Sequence, residues 1–405
     1  MQKKPQLTIT LILMGIILQG IISPVTFAQK PNNNPLENSN TDVILEERSL
    51  TDLEEVRLKE NLTQLNDQAS ILLTEGKADE AFTIWYQELL LSQSLDKIEE
   101  IKALARVGKI AWDNNRKEEV RNINQRLETI ALETESLDRE TLKELGLAFE
   151  AVKNKEKALN IYQLILTQAK AENDIEAQEK ALNTIGELHL NWFDYLNSAQ
   201  IYEELLQIST NQNNSFNQLI YLNKLAYIYN QSFQPENALK IKQQIAQTYL
   251  QNQELEKLAR IKIEIGTDYE ILENLENASQ IYQEAFTLAW GLQQLSIAGD
   301  ALQKLAQLYY KSGYPDYALQ IYQELLKVEQ HSYNYYGLMT TYDKMGEIYQ
   351  EQTNYPQAIF VFQKALEIAQ SLQYQQSYFQ DKIQNVYTAN QPPINEEVES
   401  IIEEL

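Results

Sequence analysis

The sequence predicts an all-α protein assembled from repeated helix pairs. Three observations carry that prediction. Helix breakers are scarce, with 12 Gly and 9 Pro in 405 residues. Small residues recur along the chain at a nearly constant interval. Around each of them, apolar residues fall at the three- and four-residue spacings of one helix face.

The repeat has two markers. The first is a small residue at Ala69, Gly108, Gly146, Gly186, Ala226, Gly266, Ala306 and Gly346, spaced 38 to 40 residues apart. Twelve residues after each stands Ala81, Val120, Ala158, Ser198, Ala238, Ala278, Ala318 or Ala358. Sixteen residues after the first marker come Trp85, Tyr162, Tyr202, Tyr282, Tyr322 and Phe362, with Asn124 and Lys242 as exceptions. A small residue on each helix lets the two backbones approach, and the large ring fills the gap beside it. Polar breaks such as Asn274-Leu275-Glu276-Asn277 and Ser312-Gly313-Tyr314-Pro315 separate the helices. One pair cannot bury enough apolar surface to fold alone, so the folding unit is a stacked array.

These residues resemble the tetratricopeptide repeat (TPR) family. Ile185-Gly186, Leu305-Ala306-Tyr309-Ala318-Tyr322 and Met345-Gly346-Tyr349-Ala358-Phe362 carry the resemblance, which covers about residues 62–378. It implies a right-handed superhelical solenoid of about eight TPR helix-turn-helix repeats with a C-terminal capping helix. Two departures stand out. The period is about 40 residues, longer than the usual repeat. The helix-ending Pro is replaced by Gln93, Leu132, Lys170, Thr210, Leu250, Trp290, Gln330 and Gln370. Longer helices follow, as in long-repeat relatives such as kinesin light chains. The second unit, with Val120 and Asn124, is the most degenerate, and a local kink or irregular packing is expected near residues 113–125.

The ends read differently. Lys3 and Lys4 precede an uncharged run over residues 7–22, and Thr26-Phe27-Ala28 closes it with a small residue. Residues 1–28 therefore read as a secretory signal peptide, too short for a full membrane span. Residues 29–50 read as a flexible linker. The solenoid with its caps spans residues 51–390, opened by a Thr51/Glu54 capping box. Residues 391–405 form an acidic tail. The expected location is outside the cytoplasm, in a periplasm or equivalent compartment, with no membrane span once the signal is cleaved.

Composition narrows the function. The chain has 34 Lys and Arg against 58 Asp and Glu, a net charge of −24. Nucleic acid is disfavoured as a partner, because phosphates need basic residues. Cysteine is absent and there are only two histidines. Thiol chemistry is excluded, and most zinc and Ser-His-Asp chemistry is out of reach. His189 stands in a slot where other units carry Tyr, which marks a packed residue. No Gly-rich phosphate loop exists, because Gly76-Lys77 and Gly108-Lys109 lack the rest of that motif. The chain is expected to be no enzyme and to need no cofactor.

The resemblance also implies which residues line the concave face. In that family they lie 6 and 3 residues before the small marker and 1, 4 and 5 after it, and here they include Asn183, Glu187 and Asn191 in unit four, and Asn223, Tyr227 and Asn230 in unit five. Unit seven supplies Gln303, Gln307 and Tyr310, and unit eight Asp343, Glu347 and Glu351. Such an amide-rich lining can donate to and accept from a peptide backbone. A scaffold or assembly factor binding a protein or peptide partner along this face is the reading it supports. The position after each small marker holds Ser70, Lys109, Leu147, Glu187, Tyr227, Thr267, Gln307 and Glu347, so the family's Asn clamp for a terminal carboxylate is missing. The stripe Asp343/Glu347/Glu351 would attract a basic segment, or, as an alternative, a divalent cation through oxygen ligands. A tyrosine cluster (Tyr333, Tyr335 and Tyr336, with Tyr314 and Tyr317) is a further candidate interface.

Overall fold

The computed structural model describes residues 34–36, 50–132 and 138–390. The signal peptide, most of the linker and the acidic tail lie outside the described residues. Seventeen helices and no strand occur among those described. They are α1 (Asp52–Thr74), α2 (Ala78–Ser92), α3 (Lys97–Asp113), α4 (Lys117–Leu132), α5 (Arg139–Ala151) and α6 (Lys155–Ala171). Then come α7 (Ile175–Asn191), α8 (Tyr195–Asn211), α9 (Ser215–Gln231), α10 (Pro235–Gln251), α11 (Leu255–Ile271) and α12 (Leu275–Gly291). The last five are α13 (Leu295–Lys311), α14 (Pro315–His331), α15 (Tyr335–Glu351), α16 (Tyr355–Leu372) and α17 (Gln376–Ala389). Each first marker lies on an odd-numbered helix and each second marker on the next even one. The eight expected pairs are present, and α17 follows them as the capping helix.

The helices start and stop for local reasons. Thr51 accepts from the Glu54 N–H while the Glu54 carboxylate accepts from the Thr51 N–H at 2.9 Å, so the expected capping box forms. Asp96, Asp138, Asp174, Asn214, Asn274 and Asn334 cap six later helices by accepting an N–H of the first turn. Pro235, Pro315 and Pro356 sit in first turns, where no N–H is needed. The ends explain the missing proline. A residue with positive φ follows the helix in almost every turn, at 20-residue intervals from Lys153 onward. After α7, for example, Phe193 adopts φ 59° and the Asp194 N–H returns to the His189 carbonyl at 2.9 Å. That six-to-one bond closes the helix without a breaker. The turn after α3 has the same form, with Asn115 at φ 56°, and α4 runs unbroken from Lys117. Of the kink or irregular packing expected at residues 113–125, the kink is absent, but the packing is irregular: α3 packs more extensively on α5 than on its pair partner α4. Asn124, lacking the ring of other units, instead bonds Glu128 and accepts from Asn154 at 2.8 Å.

The chain divides into two compact units, residues 1–161 and 162–405. In the first, Trp85, Phe82, Ile101, Leu104, Ile123, Leu127 and Phe149 form the buried interior. Two ion pairs border it: Arg126 to Glu100 at 2.7 Å, and Arg106 to Glu88, with Arg106 also donating to Asn66 Oδ1. Asn34 donates to the Asn122 carbonyl at 2.7 Å, and Leu36 is buried on the same unit. In the second unit, successive helices from α7 to α17 pack pairwise, and a buried cluster runs from Ala259 to Val361 through Leu302, Tyr322 and Leu325.

The ring-against-glycine fit is observed directly. A Cβ placed on Gly186 would come within 3.0 Å of the Tyr202 ring. At Gly266 and Gly346 it would land on the rings of Tyr282 and Phe362. Gly266→Ala is therefore expected to destabilise, although alanine is the better helix former by about 1 kcal/mol. Overpacking against the fully buried Tyr282 costs roughly 1–3 kcal/mol. A fall in the urea midpoint checks this; a rise would mean that the ring yields.

Candidate functional site

A groove of about 540 Å³ opens in the second unit along α9, α11 and the start of α13, with α10 at its side. Its floor is apolar, from Ala226, Ile245, Ile261 and Ile297, all buried. Its walls carry Asn223, Tyr227, Asn230, Tyr249, Glu256, Lys257, Arg260, Glu264 and Gln294. Tyr227 is half exposed. The Lys257 ammonium lies 5.5 Å from the centre of the Tyr249 ring and is paired with Glu254.

Beneath the groove lies a buried charge pair. Lys242 contacts both carboxylate oxygens of Asp268, at 2.9 and 2.8 Å, and both side chains are 3% exposed. Its ammonium also reaches Asn230 Oδ1 at 3.1 Å. Burial pushes the Asp268 carboxyl above its ordinary value, against the pull of Lys242. Lys242 fills the slot that an aromatic ring fills in six other units, so one charged chain replaces a ring and ties the core to the groove wall.

Three of the twelve residues expected on the concave face, Asn223, Tyr227 and Asn230, come together in this groove. The other nine do not. Asn183 donates to the Tyr221 hydroxyl at 3.2 Å, a contact between α7 and α9. Glu187 accepts from Tyr202 at 2.8 Å and Lys224 at 2.6 Å. Burial opposes its charge, but those bonds outweigh burial and hold the carboxyl below its ordinary value. Asn191 is exposed at the end of α7. On α13, Gln303 is exposed, Gln307 is half-buried, and the Tyr310 hydroxyl donates to Glu351 at 2.6 Å. That bond, then burial, pushes Tyr310 up to about 12.

The acidic stripe is not free. Tyr378 of α17 donates to Asp343 at 3.1 Å, and Lys382 of α17 binds Glu347 at 2.9 Å. Lys344 binds Glu347 from the other side at 2.7 Å. The three carboxylates are drawn to different partners, and no group of three metal-ligating side chains converges among the described residues. The five tyrosines also separate. Tyr314 and Tyr317 stack with Tyr309 at the start of α14. Tyr333, Tyr335 and Tyr336 lie beyond its other end, where Tyr336 packs on Tyr374. A 17-residue helix, about 25 Å long, stands between the two groups. His189 is largely buried and its Nδ1 meets Asp194 Oδ2 at 2.8 Å, so it braces a turn. His331 packs edge-on against Trp290.

Six polar groove residues, Glu256 among them, escape the positional rule or were not singled out by it. Arg260 stands six residues before Gly266, a position the rule covers. Glu264, Lys257, Tyr249 and Gln294 come from an off-rule helix position, a helix start, a second helix and a turn. Only folding brings them to one wall.

Residues 296–371 match the family model described as tetratricopeptide repeat. The match spans α13 to α16. The helix pairs are similar to several solved structures, at low identity. Aspartyl phosphate phosphatase F from Bacillus subtilis is 13% identical over 72% of this chain and 83% of that one, with a TM-score of 0.42. BtubC (BKLC) from P. vanneervenii is 18% identical over 54% and 92%, with a TM-score of 0.38. A putative kinesin light chain from Podosopora anserina with nearly identical TPR-like repeats is 11% identical over 47% and 95%, again with 0.38. No curated protein sequence matches the chain. No described helix is long and apolar enough to cross a membrane.

Proposed function

We propose that the chain is a non-enzymatic TPR scaffold that works outside the cytoplasm and holds a segment of a protein partner in the groove along α9 and α11. The observation that carries this reading is the groove itself: an apolar floor beneath walls of amide, phenol and charged groups. Such a surface offers burial to side chains and hydrogen bonds to a main chain. Export rests on the N-terminal residues, whose basic start, uncharged run and Ala28 form a signal pattern.

Two measurements test the two halves of the proposal. N-terminal sequencing of the protein from its native cells is expected to begin at Gln29; an intact Met1 start would remove the basis for export. For binding, the chain and an Asn223→Ala/Tyr227→Ala/Arg260→Ala variant are compared as baits, with circular dichroism showing equal helicity. All three side chains are exposed, so the fold should tolerate the change. Partners retained by the wild type are expected to be lost by the variant. Equal retention would move the site out of the groove.

A further inference from the structure

Two polar groups on the groove wall have hydrogen-bonding capacity that the chain does not use. Gln294 lies in the turn before α13. Its Nε2 reaches the Glu256 carbonyl at 3.4 Å, while its Oε1 is buried without any hydrogen bond. A buried acceptor costs free energy until a donor reaches it. Asn230 is the complement. An ammonium can only donate, so the Asn230 atom beside Lys242 is its oxygen. That fixes the amide orientation, and Asn230 Nδ2 makes no hydrogen bond among the described residues. One wall thus lacks a donor and the other offers one. An extended main chain answers both, with its N–H and its C=O.

Charge decides what the side chains of that segment should be. Glu256 and Glu264 line the groove, and Asp300 of α13 stands close enough to Arg260 to feel its charge. Lys257 is already taken by Glu254. Neither Arg260 nor Glu264 forms an ion pair or side-chain hydrogen bond among the described residues. Two lining carboxylates therefore face one uncommitted guanidinium, while Asp300 also feels the charge of Lys304, in a chain of net charge −24. Burial also pushes the Glu264 carboxyl above its ordinary value, against the pull of Lys242 and Arg260. The volume, about 540 Å³, suits a few extended residues.

We infer that the groove selects an extended cationic peptide segment, with Gln294 and Asn230 engaging its main chain and Glu264 a Lys or Arg side chain. Lys242 is a positioning residue, since it orients the Asn230 amide. This inference rests on the scaffold reading of the same groove.

Three fluorescein-labelled, end-blocked octapeptides of Ala and Ser test it, carrying two Lys, two Glu or two Gln. Fluorescence anisotropy is followed with up to 1 mM of the full chain. The Lys peptide is expected to bind at least ~10-fold tighter than the Glu peptide. Glu264→Gln should cut that preference to ~3-fold or less and leave the Gln peptide unaffected. Asn230→Ala should weaken all three by ~5-fold, the loss of about one hydrogen bond. Glu324→Gln, which removes an exposed charge on α14, controls for general attraction and should change nothing. Equal or tighter binding of the Glu peptide overturns the cationic selectivity while leaving the scaffold reading in place. So does a preference that Glu264→Gln leaves intact. Failure of all three peptides to bind overturns both.

Discussion

Lys242→Met is expected to destabilise the second unit by about 3–5 kcal/mol. The reason is the carboxylate it leaves behind. Asp268 is 3% exposed and Lys242 is the one cation paired with it among the described residues, so removing the ammonium strands a negative charge in the interior. The double variant Lys242→Met/Asp268→Leu should recover most of the loss, because an apolar pair of similar volume needs no solvation. The slot itself accepts apolar bulk, as Tyr202, Tyr282 and Phe362 show at the equivalent positions. The single variant should also depend on pH. The Asp268 carboxyl already sits above its ordinary value, so the folded protein binds its proton more tightly than the unfolded chain. Stability from a group shifted in that direction is full below its unfolded value and is lost as pH rises. Without Lys242 the shift grows, so the variant's deficit should shrink at acid pH, where Asp268 is protonated. Urea midpoints of wild type, both singles and the double at pH 4 and pH 8 check this. A single variant within 1 kcal/mol of wild type, or a double no better than it, would show that water or another group solvates Asp268.

The helix pairs were legible because packing imposes the period. Wherever a ring such as Tyr282 or Phe362 must lie on a neighbouring helix, the position facing it has to be small, and Gly266 and Gly346 announce that requirement at a fixed distance. The turn chemistry was less legible. Phe193, Phe233 and Tyr333 adopt positive φ despite bulky side chains, at positions where glycine or asparagine would have signalled a turn. The array's constant 17-residue helices place the stop there, not the local residue. The site was legible only in part. Asn223, Tyr227 and Asn230 lie on one helix, and a positional rule finds them. Asp343 and Glu347 obey the same rule, yet α17 covers them with Tyr378 and Lys382. A rule confined to one helix cannot see which neighbour claims its residues. Gln294 and Tyr249 join the groove from a turn and a second helix, a juxtaposition that exists only after stacking.

Glu329→Gln is expected to stabilise the protein at pH 8 and to leave it unchanged near pH 4. Glu329 sits near the end of α14, 7% exposed, pressed against Gly337 and Asn334, and its Oε2 has no hydrogen bond. Burial pushes its carboxyl up to about 7 from 4.5, and a hydrogen bond with Thr341 offsets only part of that rise. A raised folded value means that the neutral acid fits the site and the anion does not. Its contribution to stability is complete below pH 4.5, falls as pH climbs, and is lost above about 7. A shift of that size corresponds to about 3 kcal/mol at alkaline pH, from 1.36 kcal/mol per unit. Glutamine keeps the shape without the charge, but its amide must find an acceptor, so a gain of about 1–3 kcal/mol is expected at pH 8. The difference between variant and wild type, measured as urea midpoints across pH 4–8, should open between pH 4.5 and 7. A constant difference would assign the effect to packing. A less stable variant at pH 8 would mean that the anion is solvated after all. The placement of Glu329 gives the result a structural consequence. It packs against the first turns of α15, beside the Asn334 cap that accepts from the Gly337 N–H at 3.0 Å. Strain from its ionisation would therefore fall on the α14–α15 junction, which holds the last repeat and its cap to the array.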